Sequence, residues 1–597
     1  MRKSIRYKWY KGLLMNRKVI LRLFLIVLGI GLIIVAVFAF QIGLDNNSTW
    51  GTKRFQLIGV GLLLIIFSLS YWVLPVIYHF WPQKLVKKSL PRTINFPFLS
   101  ALMRFSPKVG LFLLAILTVW IYVWIFTAGR VDKWPTGKNY YGLLAEAFQY
   151  GQLHLLMQPP ATLLSLPNPY DYHQRENLDY LWDVSLYQGK YYLYWGPVPA
   201  VIGLIIRVFT YHSVSDSELT LFFVVLTSFW GIAALFQFSR DFDFPGWLFW
   251  GAALGLALNV PALWLLTRPL IYEASIAGGQ AFGMAGSFFS YRIFRSKNVG
   301  HLDIILTGLL LGLAAGTRTS LLISGVVLGV ILVGYLLRNY SYPSCQLFSR
   351  LLALVLPLGG IFFALLAYNY ARFGSIVETG HRYQLTGPAL PPDYKDVISL
   401  AYALPNFFTY IFRLPALQNQ FPFITIPWVK ETMWPGFIHL PVHYYTERTA
   451  GILFIVPLLG FSAILLLSWV WRWLNGDVRF ELVVNSRQFL LRWWGVYLLC
   501  YVSIPAIVLL LFISSSLRYL FDITPSLILL SALFVGSQYG KLATTPFHAG
   551  FLRAGWITMA ILSAISSVFV GITGYSHHFA EINPVLYQQL ASWFYIP

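Results

Sequence analysis

The sequence predicts an all-α polytopic membrane protein of about thirteen spanning helices, with a large first outer loop that carries surface helices. Three observations lead there. Of 597 residues, 57% are hydrophobic and 11% charged, and the mean hydropathy of +0.65 implies more apolar surface than a water-soluble core can bury. Apolar runs of crossing length recur along the chain, a layer of ~30 Å taking about 20 helical residues. The Lys and Arg residues behind the formal charge of +21 fall in short runs between those segments. That is the pattern of the positive-inside rule, not of a nucleic-acid-binding face.

The first eighteen residues hold seven Lys or Arg and no acid. The apolar run from Val19 to Leu44 is too long for a signal-peptide core, so it is expected to stay as a first helix, near 20–43, with its N-terminus in the cytoplasm. Further spans are expected near 55–80, 109–128, 218–238, 246–266, 277–294, 302–316, 319–337, 350–371, 449–471, 489–513, 519–537 and 551–573. Between the second and third, 81–108 carries Lys84, Lys87, Lys88, Arg92, Arg104 and Lys108 without an acid and is placed in the cytoplasm. The stretch 192–211 is the difficult one, because Gly196, Pro197 and Pro199 break it and Arg207 charges it. If it crossed, Arg292, Arg295, Lys297, Arg338 and Arg350 would move outside; laid on the outer surface as an amphipathic helix, it leaves every basic cluster inside. That frame puts the loops 129–217 and 372–448, and the tail after Tyr575, outside a plasma (cytoplasmic) membrane. Cys345 and Cys500, in or near spans, are packing residues and support no disulfide framework or thiolate metal site.

The first outer loop has seven acids, Asp132, Glu146, Asp171, Glu176, Asp179, Asp183 and Asp216, against six Lys or Arg. Tyr140, Tyr141, Leu144 and Phe148, with a stop at Gly151, fit a short surface helix on which Glu146 faces away from lipid. The stretch from Trp182 to Pro197 reads as two extended pieces around a Gln-Gly turn. Its Tyr and Trp residues either form an interfacial belt or stack on sugar rings, with Asp183 among them to bind hydroxyls or a cation. The turn from Thr267 to Ala274 sets Arg268 and Glu273 at the water boundary, as a local pair or as functional groups. Arg518 and Asp522 flank Tyr519 and lie four apart; they either pair with each other or leave Arg518 to clamp a phosphate. Arg318, Arg372, Arg382 and His381 are further donors at that level, with plain solvation the alternative for His381. No Walker loop, dinucleotide fingerprint, His-Glu-x-x-His motif or Cys pair occurs, which disfavours ATP-driven transport, and spaced intramembrane acids for a proton relay are missing.

In layout and short motifs the chain resembles the GT-C superfamily of membrane glycosyltransferases, close to protein O-mannosyltransferases and bacterial aminoarabinose transferases. The resemblance covers roughly residues 108–540. It leaves 1–107 as a basic segment with two extra spans and 541–597 as a last span with an outer tail. In that family the large first loop holds an acid that serves as base or metal ligand, and 129–195 takes that place here. By position, Glu273 matches the acid of the family's second outer turn. Arg518-Tyr519, Asp522 and Pro525 look like a later basic-aromatic element followed by Asp and Pro, and Gly316-Thr317-Arg318 looks like the basic element between two middle helices. The chain departs where relatives usually show an Asp-Glu pair before the surface helix, for it has Lys138-Asn139. The candidate bases are therefore Asp132 and Glu146, nearest to Asn139, and then Asp183.

The resemblance implies inverting transfer of a sugar from a polyprenyl-phosphate donor to a hydroxyl of a lipid, glycan or protein acceptor on the outer face. A carboxylate would deprotonate the acceptor while arginines stabilise the departing phosphate. An activated donor needs no nucleotide site and no cofactor is implied; a divalent metal is left open, since no ligand set is visible. Two rivals stand beside this reading. A lipid-linked-sugar transporter or flippase would need a polar cavity through the bilayer, and a non-catalytic GT-C-like assembly protein is favoured by Lys138-Asn139.

Overall fold

The structure, a computed structural model, describes residues 29, 31–33, 35–36 and 107–594, apart from 136, 138, 297, 340–343, 388–396, 430–433, 435–437, 475–485 and 544. The expected spans 20–43 and 55–80 and the basic segment between 81 and 106 lie outside the described residues, except for helical positions between 29 and 36. Every later apolar run falls on helix, as expected of an all-α polytopic protein. Among the described residues, seven helices are long and apolar enough to cross a membrane: Val109–Phe126, Asp216–Asp241, Gly246–Thr267, Thr319–Arg338, Cys345–Phe373, Phe489–Leu511 and Pro546–Thr573. His301–Thr317 and Pro457–Val470 are shorter and equally apolar.

The helix Ile271–Arg295 is long but rich in Gly, Ala and Ser, and most of its residues are buried against protein. It packs between Asp216–Asp241 and His301–Thr317, and the latter packs in turn on Ser344–Phe373. Small residues let these backbones approach closely, which is how helices associate in lipid without a hydrophobic drive between them. At Gly283 a Cβ would run into the hydroxyl of buried Tyr501 on the helix Ser486–Leu511. Gly283→Val is therefore expected to destabilise the bundle by at least about 1–3 kcal/mol through overpacking. Gly495→Val, on the same kind of helix but with open space at its Cβ, serves as control. Thermal unfolding in detergent should separate the two variants; equal midpoints would refute the packing argument.

Several boundaries differ from expectation for identifiable reasons. The run near 246–266 is two helices, Gly246–Ala257 and Val260–Thr267, broken at Leu258-Asn259. The backbone groups freed by the break are satisfied inside the protein, as hydrocarbon requires. Asn259 donates to the Gly255 and Leu256 carbonyls at 3.2 and 3.3 Å and accepts the Ala262 N–H at 3.0 Å, while Tyr122 donates to the Ala257 carbonyl. The run near 519–537 begins as a helix only at Thr524, behind a 3-10 turn, Leu517–Asp522. Near 449–471 a single turn, Ile452–Ile455, precedes the helix Pro457–Leu474.

In the first loop, Asn139 caps the helix Tyr140–Gln149 by accepting the Gly142 N–H at 2.9 Å. The expected extended pieces are the strands Ser185–Tyr187 and Lys190–Tyr192, antiparallel about Gln188 and Gly189, both at positive φ. The helix Val198–Thr210 has thirteen residues. It rises about 20 Å, short of the ~30 Å a crossing needs. It lies against Tyr140–Gln149, and Gly196, just before it, touches the backbone of Gly316 too closely to leave room for a Cβ. The C-terminal segment folds back on the helix Pro107–Phe126, with His578 bonded to the Ile125 carbonyl and Asn583 donating to that of Ala128.

Candidate active site

Asp183 stands immediately before the hairpin with φ +61°, a left-handed backbone that an L-residue other than Asn or Asp rarely adopts. Its N–H donates to the Leu385 carbonyl at 2.9 Å, which joins the two large loops. The carboxylate is buried, accepting from the Tyr194 hydroxyl at 3.2 Å and from the Gln384 amide. Burial pushes its pKa up from 3.8 to about 7, against the opposing pull of those two hydrogen bonds and of the Arg518 charge.

From Tyr194 a line of aromatic rings leads to the arginines. Tyr194 stacks on Trp195 at 3.9 Å, Trp195 meets Tyr272 edge-on at 5.3 Å, and Arg518 lies over the Tyr272 ring at 4.6 Å. Arg518 and Asp522 do not pair with each other. In a 3-10 turn residues three apart eclipse, so residues four apart face different ways. Arg518 instead bridges Glu273 at 3.4 Å and Glu447 at 2.8 Å, while Asp522 is gripped by Arg318 at 2.7 and 2.9 Å. The other oxygen of Asp522 and the Nε of Arg518 are buried and find no hydrogen-bond partner among the described residues. Glu273 sits in the first turn of Ile271–Arg295, where a carboxylate suits the helix dipole, and accepts the Leu270 N–H at 3.2 Å. The local Arg268–Glu273 pair is likewise absent from the contacts made, for Arg268 lies over the Tyr575 ring at 4.2 Å.

His381 is not a freely solvated loop residue. Its ring packs on Tyr194 at 4.2 Å, and desolvation lowers its pKa to about 4, leaving it neutral at ordinary pH. Arg372, at the end of Ser344–Phe373, donates to the Leu193 carbonyl and, at 2.7 Å, to Asn369, and stacks on Tyr368 at 3.8 Å. It lines a cavity of about 210 Å³ between the Tyr194–Pro197 segment and that helix, walled mainly by Leu322, Phe362, Leu365, Leu366, Ile376 and Val377.

The structure thus gathers Asp183, Glu273, Arg318, Arg518, Tyr519 and Asp522, with His381 and Arg372 on the Tyr194–Trp195 side. It does not bring Asp132, Glu146 or Arg382 to them. Asp132 is 70% exposed beside Arg130, Glu146 is tied to Arg207 at 3.2 Å on the loop surface, and Arg382 is exposed. Two acids had escaped notice as site residues. Glu447 follows the short strand Tyr445–Thr446, which pairs with Ser514–Ser515 and so delivers it to Arg518. Asp216 accepts the N–H groups of Tyr140 and Tyr141 at 2.9 and 2.8 Å, so the carboxylate at the start of the first surface helix comes from 76 residues downstream. Among the described residues, no three His, Cys, Asp or Glu side chains come together as a metal-binding group.

Fold and site together define an integral, multi-pass, predominantly helical membrane protein with a buried acid–arginine cluster. No family model matches the chain, and no curated protein does. Among solved structures, similarity is found to the Archaeoglobus fulgidus oligosaccharyltransferase in its apo form, at 14% identity and a TM-score of 0.37 over 77% of this chain and 56% of that one. The archaeal oligosaccharyltransferase AglB from Archaeoglobus fulgidus, in complex with an inhibitory peptide and a dolichol-phosphate, matches at 14% identity and a TM-score of 0.38 over 80% of this chain and 56% of that one. ArnT from Cupriavidus metallidurans bound to undecaprenyl phosphate matches at 10% and 0.33 over 80% and 78%. The chain spans 56% of the length of the oligosaccharyltransferase.

Proposed function

We propose that the chain transfers a sugar from a polyprenyl-phosphate donor to an acceptor hydroxyl at the outer face of the membrane. The observation that carries this reading is Asp183, a buried carboxylate whose pKa is pushed up to about 7, within reach of the Arg518 charge and bonded to Tyr194, which lines an apolar cavity. A general base works best with its pKa near ambient pH. Asp183 takes the acceptor's hydroxyl proton as that oxygen attacks the anomeric carbon; the bond from that carbon to the phosphate oxygen breaks on the opposite face, with inversion. The departing phosphate gains charge, and positive groups fixed beforehand stabilise it without reorganising. Arg372 is suited to that task because the three groups it donates to, the Tyr368 and Leu193 carbonyls and the Asn369 amide oxygen, are neutral. The apolar cavity it borders suits an isoprenoid chain. On this reading the N-terminus is cytoplasmic, and 129–217 and 372–448 lie outside.

The test is lipid and glycan profiling of a deletion strain. A polyprenyl-phosphate sugar should accumulate and a glycan should lack the corresponding residue, both reversed by the wild-type gene and not by Asp183→Asn. Unchanged profiles would sink the proposal, and accumulation confined to the cytoplasmic leaflet would point to the flippase instead.

A further inference from the structure

The second large loop contains a helix built the wrong way round for water. Ala403–Ile411 turns Asn406, Thr409 and Tyr410 inward and Leu404 and Phe407 outward. Leu400, Phe412 and Leu414 continue the outward apolar row on either side. Leu400 is 82% exposed, Leu404 51% and Phe407 45%. From Val397 to Phe412 there is no Lys, Arg, Asp or Glu. A helix on a water-washed loop shows the opposite pattern, and a contiguous exposed apolar row marks a surface that something apolar covers.

The polar face is turned inward because it is needed there. Asn406 donates to the carbonyls of Leu510 at 3.1 Å and Phe512 at 2.6 Å, and accepts from the Tyr444 hydroxyl at 2.8 Å. The Ser399 N–H donates to the Leu511 carbonyl, and the Ile513 N–H donates to that of Val397. These bonds fasten the helix to the last residues of Ser486–Leu511, the level at which a spanning helix leaves hydrocarbon. That span exposes Val496, Leu499 and Ile507 along its own length, the kind of surface that lipid covers.

We propose that Ala403–Ile411 lies in the headgroup–acyl boundary of the bilayer that the protein spans, with Leu400, Leu404 and Phe407 among the acyl chains. The occupant of this face is lipid, because the hydrogen bonds set the helix at membrane level and the row has no charge with which to meet a polar partner. The inward side then touches the acid–arginine cluster. Tyr410 accepts the Ser516 N–H at 3.3 Å, and the Ser516 hydroxyl donates to Glu447 at 2.8 Å. One wall of the candidate site is thereby anchored in the membrane.

The experiment uses the full chain with Cys345→Ser and Cys500→Ala, reconstituted in phosphatidylcholine–phosphatidylglycerol vesicles. Spin labels are placed singly on cysteine at Leu400, Leu404 and Phe407, at Phe229 on the span Asp216–Asp241 as lipid control, and at exposed Lys190, the first residue of the hairpin's second strand, as water control. Since all five side chains point outward, folding is checked by an unchanged unfolding midpoint, and three independent positions guard against one failing. The ratio of oxygen to water-soluble nickel-chelate accessibility at 400, 404 and 407 is expected to match that at 229 and to exceed that at 190 several-fold. Ratios equal to that at 190 would overturn the proposal. So would protection from both reagents at all three positions, which would mean that protein covers the face.

Discussion

Asp183→Asn is expected to lower sugar transfer by about 10²–10⁴-fold, the usual contribution of a positioned general base. The substitution is well suited to isolate that role. Asn tolerates the left-handed backbone at this position, and its carbonyl oxygen can still accept from Gln384. The stability effect should run the other way. A carboxyl whose pKa rises from 3.8 to about 7 on folding favours the folded state below its unfolded pKa, and that advantage is lost as pH climbs through 7. Ionised Asp183 therefore burdens the fold at pH 8, and removing the charge should leave the unfolding midpoint unchanged or raised while transfer collapses. In the wild type, activity should fall about tenfold per unit as pH drops below about 7, because the protonated acid cannot accept a proton. A residue that merely packs would lose midpoint and activity together. Glu146→Gln and Asp132→Asn, by contrast, should change little, since both acids lie away from the cluster in half-buried or exposed ion pairs, and pairs at the surface contribute about 0–1 kcal/mol. Full activity in all three variants, with folding intact, would defeat the mechanism.

That ordering reverses the one drawn from sequence, where Asp132 and Glu146 came first because they lie nearest to Asn139. Distance along a chain ranks acids poorly in a loop that folds back on itself. Asp183 reaches the cluster because a hairpin and a bond to Leu385 carry it there, and Asp216 reaches the start of the first surface helix from the far end of the loop. Among the described residues the apolar helices were legible, since lipid imposes both length and composition on a helix it touches. The helix Ile271–Arg295 was placed too short, beginning at 277, because protein surrounds it and hydropathy loses its hold there. The pairing partners of Arg518 were illegible for a related reason. Whether Arg518 and Asp522 share a face depends on 3-10 or α geometry, which a four-residue spacing cannot reveal, and Glu447 is delivered by a two-residue strand too short to leave a period in the sequence.

Arg518 sets the second large effect. Its two terminal nitrogens reach different carboxylates, Glu273 and Glu447, while its plane lies over Tyr272 and Tyr519. Arg518→Met should cost about 3–5 kcal/mol, because it takes the cation away from buried Glu273 and half-buried Glu447 and not because the pair itself is strongly stabilising. The same reasoning predicts a rescue. Combining Arg518→Met with Glu273→Gln and Glu447→Gln removes every uncompensated charge, so the unfolding midpoint should return close to wild type. Transfer should not return, since the guanidinium that holds this side of the site in register is gone. Arg518→Lys separates charge from shape, for a single ammonium cannot span both carboxylates or stack on the rings, and it should recover only part of the midpoint. A further consequence links the two residues. The Arg518 charge holds the Asp183 pKa below where burial alone would put it, so any residual activity of the Arg518→Met single variant, which keeps the opposing Glu447 charge, should show its acid limb at higher pH than wild type. An acid limb that stays in place would mean that Asp183 is not the group titrating in the rate, and would separate the base from the arginine cluster.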